Sequence, residues 1–260
     1  LSGAAIPDLT NQGATRLPIE IRKMSLSDIR DALVAGYDDL KACRTDALLM
    51  AVIFPIAGIV IAGVVVVQGL LPFVFPLLSG FALLGPLATL WFAALSRQRE
   101  RGDDSLVSVF SAHRKAIQNL SAIAISLFLA WNAVAGVIYY LTLGSSTDEA
   151  GAAFFQRVFT TGAGWEMIII GCLSGAVFAV ATLAISVISF PLILDRPVTA
   201  AQAVGASFQA MAQNPVFVLG WGAAVAIGLT LGSIPCLLGL VIVLPVFGHA
   251  TWHVYRRMVV

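Results

Sequence analysis

Between Asp46 and Arg97 the chain carries no charged side chain. The same holds between Glu166 and Asp195, and between Arg196 and Arg256 the only titratable side chains are Cys236, His249, His253 and Tyr255. Such stretches suit hydrocarbon: an α-helix crosses its ~30 Å with about 20 apolar residues and satisfies every backbone group internally. Composition agrees, with 59% hydrophobic and 11% charged residues, where soluble domains carry about 25% charge. Six spans are read at residues 47–67, 71–95, 121–143, 165–194, 215–231 and 234–252. The expected fold class is all-α, a polytopic membrane helix bundle of six transmembrane helices. The fourth run is longer than a bilayer requires, and only Gly232 and Ser233 part the fifth from the sixth.

Basic residues set the orientation, because loops rich in Lys and Arg stay in the cytoplasm. With six spans, 14 of the 15 basic residues fall on one side and only Arg157 on the other. Both termini are therefore expected in the cytoplasm. The net charge of +1 argues against a nucleic-acid partner.

Three parts follow along the chain. Residues 1–24, with Pro7, Gly13 and Pro18, read as an extended cytoplasmic tail without the apolar core of a cleavable signal peptide. The chain opens on Leu, so the natural start is expected upstream. Residues 25–45 read as an amphipathic helix capped by Ser25 or Ser27, with Ile29, Leu33, Tyr37 and Leu40 as its apolar stripe. It is expected on the cytoplasmic membrane surface, and its mixed charge favours packing on the protein's own loops over anchoring to anionic lipid. Residues 46–260 form the bundle. In its one long outer connection, Phe154, Phe155, Val158 and Phe159 predict a short interfacial helix, with Trp165 as an aromatic anchor.

A weak internal repeat aligns Arg101 through Gln118-Asn119 with Arg196 through Gln213-Asn214, each amide pair opening a span. Pro86 and Pro245 each precede an arginine, Arg97 and Arg256, by eleven residues. Hairpins with parallel pseudo-symmetry would give both correspondences.

The stretches "DIRDALVAGYDDLKA", "FPLLSGFALLGPLATLWFAALSRQRERG", "SVISFPLILDR" and "LPVFGHATWHVYRR" together resemble a family of predicted bacterial integral membrane proteins, common in alphaproteobacteria and catalogued as a domain of unknown function. The resemblance runs from about Ile21 to Val260. It implies a six-span protein of the bacterial inner membrane and brings no activity, substrate or catalytic residue.

Side chains that could carry chemistry are few. The deeper polar groups are Asn132, Ser174, Thr182, Ser186, Ser189 and Thr230, and Asn132 is read as an interhelical hydrogen bond in preference to a solute contact. Pro55, Pro76, Gly80, Gly85, Pro86, Pro191 and Pro245 interrupt spans and are read as kinks and packing sites. Gly171 with Gly175, and Ala224 with Gly228 and Gly232, follow small-xxx-small spacing and mark faces where helices meet. His249 and His253 share a helix face, and with His113 they form the minority candidate for a metal site. The favoured reading puts His249, Trp252 and His253 at the cytoplasmic exit of the sixth span, bonding neighbouring loops or an acid such as Asp195 or Asp46, with the arginines at the headgroups. Cys172 and Cys236 are read as buried and unpaired.

No nucleophile–base pair, phosphate-binding glycine loop or haem-attachment motif is present. The chain is therefore read as no enzyme, with no cofactor, and with membrane lipids and other integral membrane subunits as partners. Two functions are expected: an accessory or assembly subunit of a larger inner-membrane complex, a respiratory one first, or a transporter or channel for a small neutral or apolar solute.

Overall fold

The computed structural model describes residues 19–102, 105–144 and 151–260. Most of the expected tail, 1–18, lies outside the described residues, as does 145–150 of the outer connection. Helices α1 (Ser27–Ala42), α2 (Arg44–Ala51) and α3 (Ile53–Val67) come first. Gly69, at φ +71°, then turns the chain into a 3-10 turn at Leu71–Phe73. Next are α4 (Val74–Leu83), α5 (Gly85–Ala88), α6 (Leu90–Arg101), α7 (Leu106–Ala112) and α8 (Arg114–Leu143). They are followed by α9 (Ala152–Thr160), α10 (Gly162–Ser186), α11 (Ser189–Asp195), α12 (Ala200–Gln213), α13 (Pro215–Ser233) and α14 (Leu240–Met258).

Among the described residues, four stretches are long and apolar enough to cross a membrane: Arg44–Val67, Arg114–Leu143, Gly162–Asp195 and Pro215–Ser233. A fifth arises if Leu71–Gly80 and Gly85–Arg101, bent by 55°, count as one span. Pro86, in the first turn of α5, stands beside that bend and has no backbone N–H to carry α4 onward.

The sixth segment read from the sequence departs from its expected shape. Residues 234–239 form turns, with Cys236 at φ +50° and Leu237 at φ +66°, so the helix begins only at Leu240. From there to Trp252 is 13 residues, roughly 20 Å of helix at 1.5 Å per residue. The apolar part of α14 is thus short of a hydrocarbon core, and α14 is not among the four.

Packing is concentrated at the end where the basic residues gather. There α11 is buried over Ser189–Leu194, and the Ser189 hydroxyl reaches the Ala203 carbonyl at 3.0 Å. Ala203, Ala206 and Ala210 of α12, Ala93 and Ala94 of α6, and Trp252, Tyr255 and Met258 of α14 close the same core. Toward the apolar ends packing thins: in three of the four spans only 22% of the most apolar stretch is buried.

Helix α1 packs along α14 rather than on loops. Its buried face is Ala32, Gly36, Asp39 and Leu40, while Tyr37 of the expected stripe is 51% exposed. Hydrophobicity misled there because the contact is close, and closeness selects small residues. A side chain on Gly36 would come within 2.6 Å of the backbone nitrogen of Ala250 and the carbonyl of Val246. Residues before α1 are held too: Ile21 bridges Val259, and the Asn214 side chain accepts from the Met24 amide at 2.8 Å and donates to the Arg22 carbonyl at 3.0 Å.

At the other end α9 divides its aromatic residues. Phe154 and Val158 pack on Tyr139 and Leu143, while Phe155 and Phe159 are exposed. The Trp165 indole donates to the Phe159 carbonyl at 3.1 Å. The two repeat units differ as well: α12 has a Thr199–Gln202 capping box and ends before the Asn214 junction, whereas α7 runs into α8, which continues through Gln118 and Asn119. Cys172 and Cys236 are exposed free thiols rather than buried ones.

The α1–α14 contact yields a stability prediction. Gly36→Val forces two backbones apart and is expected to cost about 1–3 kcal/mol or more, read as a fall in the thermal midpoint of the purified protein. Gly63→Ala, where a Cβ meets nothing within 4 Å, should leave the midpoint unchanged or raise it. Equal midpoints for the two variants would contradict the contact.

Candidate functional site

Polar side chains of three helices converge where α6 and α14 end. On α6, Ser96, Arg99 and Glu100 lie at i, i+3 and i+4; on α14, His249, Trp252, His253 and Arg256 lie at i, i+3, i+4 and i+7. Each set therefore shares one helical face. Asp39 of α1 stands opposite both.

Asp39 is the hub. One carboxylate oxygen accepts from Ser96 Oγ at 2.5 Å and from His253 Nε2 at 2.8 Å, and the other accepts from Arg99. Ser96 Oγ also lies 2.8 Å from His249 Nδ1. Because the serine proton goes to Asp39, His249 must donate from Nδ1, and its tautomer follows from the network. His249 Nε2 is then left buried with no hydrogen-bond partner among the described residues.

Three further anchors run along α14. Glu100 accepts from the Trp252 indole at 2.7 Å and from Arg256 Nε at 2.9 Å. Asp195 accepts from Tyr255 Oη at 2.6 Å and from Arg101. Arg257 reaches Asp31 at 3.0 Å and Asp28 at 3.4 Å. The buried anchors carry more weight than the exposed Arg257–Asp31 pair, since exposed pairs contribute about 0–1 kcal/mol.

Burial works to raise the Asp39 carboxyl, which is 5% exposed, but the hydrogen bonds from His253 and Ser96 lead the effects that outweigh it and hold the group below its ordinary value. Burial, with the Asp195 carboxylate behind it, pushes the Tyr255 phenol up. Tyr255 therefore stays a neutral donor and Asp39 an ionised acceptor. Beside them opens a cleft of about 400 Å³ lined by Asp39, Ser96, Arg99, Glu100, His253 and Arg256.

The sequence candidates fall as follows. His253 does meet an acid, but it is Asp39, not Asp195 or Asp46, and His249 reaches that acid only through Ser96 Oγ; Asp195 serves Tyr255 and Arg101 instead. Trp252 and His249 are fully buried, Trp252 bonded to Glu100 and His249 to Ser96. His113 caps α7, where burial and the nearby Arg97 lower its basicity. Among the described residues no group of three or more His, Cys, Asp or Glu is arranged to hold a metal ion.

Asn132 donates to Phe128 of its own helix at 2.8 Å instead of to a neighbouring one, and its Oδ1 is buried without a partner among the described residues. A Cβ added to Gly175 would lie 3.2 Å from the Trp131 ring, one on Gly228 would meet Phe247 and one on Gly232 the start of α14, while one on Gly171 would meet nothing within 4 Å. Ala224 is half-buried on α13. Sequence reasoning missed Asp39, Ser96, Arg99 and Glu100. The available signal was the shared period of "SRQRE" and "HATWHVYR", which sets polar groups on one face of each helix.

The class is settled by these helices: an all-α integral membrane protein with several membrane-crossing segments. Residues 74–195 match the model of the family described as "Predicted integral membrane protein (DUF2189)". No curated protein matches the chain, and no solved structure does. The match takes in Ser96, Arg99, Glu100, Arg101 and Asp195 and leaves out α1 and α14, which supply the other half of the site.

Removing the hub should therefore be severe. Asp39→Ala takes the acceptor from Ser96, His253 and Arg99 and is expected to cost about 1–3 kcal/mol, whereas exposed Asp31→Ala should stay within about 0.5 kcal/mol; denaturation midpoints in detergent separate the two. Because the Asp39 value is depressed on folding, its contribution is complete above the ordinary carboxylate value of 3.8 and is lost as pH falls through the lower folded value. Wild type should lose more stability over that acid window than Asp39→Asn.

Proposed function

We propose that the protein is a non-catalytic membrane subunit that packs against a larger complex of the bacterial inner membrane, as an accessory or assembly component, with a respiratory complex the first to test. The observation that carries this reading is the contrast between its two ends. The basic end is closely packed and cross-tied through α14, while three spans bury only 22% of their most apolar stretch within the chain. Lipid covers apolar side chains well, but an open glycine on a span is a seat where another helix backbone comes close. Gly63 and Gly171 both have nothing within 4 Å. In this reading the termini are cytoplasmic, and the hairpin of α13 and α14 completes a six-segment topology.

A second reading, a transporter for a small neutral solute, draws on the bent α4–α6 segment and on the unpartnered Asn132 oxygen. Broken spans beside a buried polar group are how many transporters frame a site.

Cys172, exposed next to Gly171 on α10, supplies the test. Cross-linking through Cys172 in native membranes is expected to trap one defined membrane partner, and Gly171→Leu is expected to abolish the product while leaving the thermal midpoint unchanged. A purely monomeric protein after extraction in gentle detergent, with no cross-link in the membrane, counts against the subunit reading. Solute uptake into liposomes lost on Asn132→Leu would favour the second.

A further inference from the structure

We infer that the cleft between α1, α6 and α14 binds a phosphate group, carried by a lipid headgroup or by a soluble compound. The argument begins with its acceptors, which are committed. Asp39 receives Ser96 and His253 on one oxygen and Arg99 on the other. Glu100 receives Trp252 on one oxygen and Arg256 on the other. A cation entering the cleft would meet carboxylates whose charge Arg99 and Arg256 already offset.

Donors, by contrast, are in surplus. A guanidinium carries five N–H groups. Arg99 engages Asp39 through Nη1 alone, and Arg256 engages Glu100 through Nε and Nη2. Nε and Nη2 of Arg99 and Nη1 of Arg256 therefore keep free N–H groups among the described residues. Both side chains stand at the rim, 48% and 41% exposed, so an anion reaches them without unfolding anything.

Each carboxylate also orients the guanidinium it pairs with. Arg99 is held by nearly buried Asp39, and Arg256 by a carboxylate that the Trp252 indole itself fixes. Preorganised guanidinium forks match the oxygen edges of a phosphate. The cleft of about 400 Å³ exceeds the ~30 Å³ share of one water many times. It has room for the group and part of whatever carries it. Two effects oppose the anion: the Asp39 and Glu100 carboxylates line the same cleft, and α6 and α14 both end here, where helix C-termini are partially negative. The site is accordingly of modest affinity, with the two arginines as its whole attraction.

The experiment uses the purified full chain in two arms. In neutral detergent, the thermal midpoint is followed against inorganic phosphate at constant ionic strength, with chloride as the balancing salt. In nanodiscs, it is compared between phosphatidylcholine alone and phosphatidylcholine with phosphatidylglycerol. A ligand that binds only the folded state raises the midpoint with its concentration. Arg256→Gln should weaken the response about tenfold or more, the loss expected for one charge-assisted contact, and Arg256→Lys should restore part of it.

A response to free phosphate identifies a soluble source; a response to phosphatidylglycerol alone identifies the lipid. If Arg256→Gln does not fold because Glu100 is left underpaired, Glu100→Gln combined with Arg256→Gln carries the test. A wild-type midpoint flat in both arms overturns the site, as does a response that survives undiminished in the folded variant.

Discussion

One ionised carboxylate, on Asp39, holds the basic end of this protein together. A buried charge is tolerated only when its oxygens are fully hydrogen-bonded and countercharge is close. Ser96, His253 and Arg99 supply both. Since Ser96 and Arg99 belong to α6 and His253 to α14, satisfying one group fixes the mutual position of three helices. The other anchors of α14, at Glu100, Asp195 and Asp31, act along the same helix and repeat the arrangement with less burial at Glu100 and Asp31.

That constraint explains why α14 differs from a membrane span. A helix that must offer His249, Trp252, His253, Tyr255 and two arginines to neighbouring helices has only its first nine residues, Leu240 to Gly248, left for apolar contact. Its N-terminal half packs beneath α13, with Gly228 and Gly232 admitting Phe247 and the turn before α14. Its C-terminal half is the centre of a core built from α1, α6, α11 and α12. The molecule is thus closely packed at the end where its basic residues gather, and open along three of its four candidate spans. In water, open apolar faces would collapse; in hydrocarbon they carry no such penalty and are free to meet lipid or another helix.

Much of the site was half legible. The even spacing of His249, His253 and Arg256 on one face, and of Ser96, Arg99 and Glu100 on another, is visible without coordinates. What joins them is Asp39, some sixty residues from Ser96 and over two hundred from His253. Its neighbour Asp38 is exposed and pairs with Lys41, so nothing local distinguishes the two aspartates. Tyr37 and Leu40 look alike to a hydrophobic stripe, yet only Leu40 is buried. The reason is Gly36: α1 approaches α14 through its smallest side chains, and that choice rotates the helix.

Sequence alone determined the solvent and the secondary structure. Uncharged runs of bilayer length admit helices and little else, because hydrocarbon offers no partner for a bare backbone group. Tertiary structure decided which polar groups are buried, how α14 starts, and which acid His253 serves. Those depend on contacts between residues far apart in the chain, where the free energy lies in mutual burial and in hydrogen bonds that no single segment can form for itself.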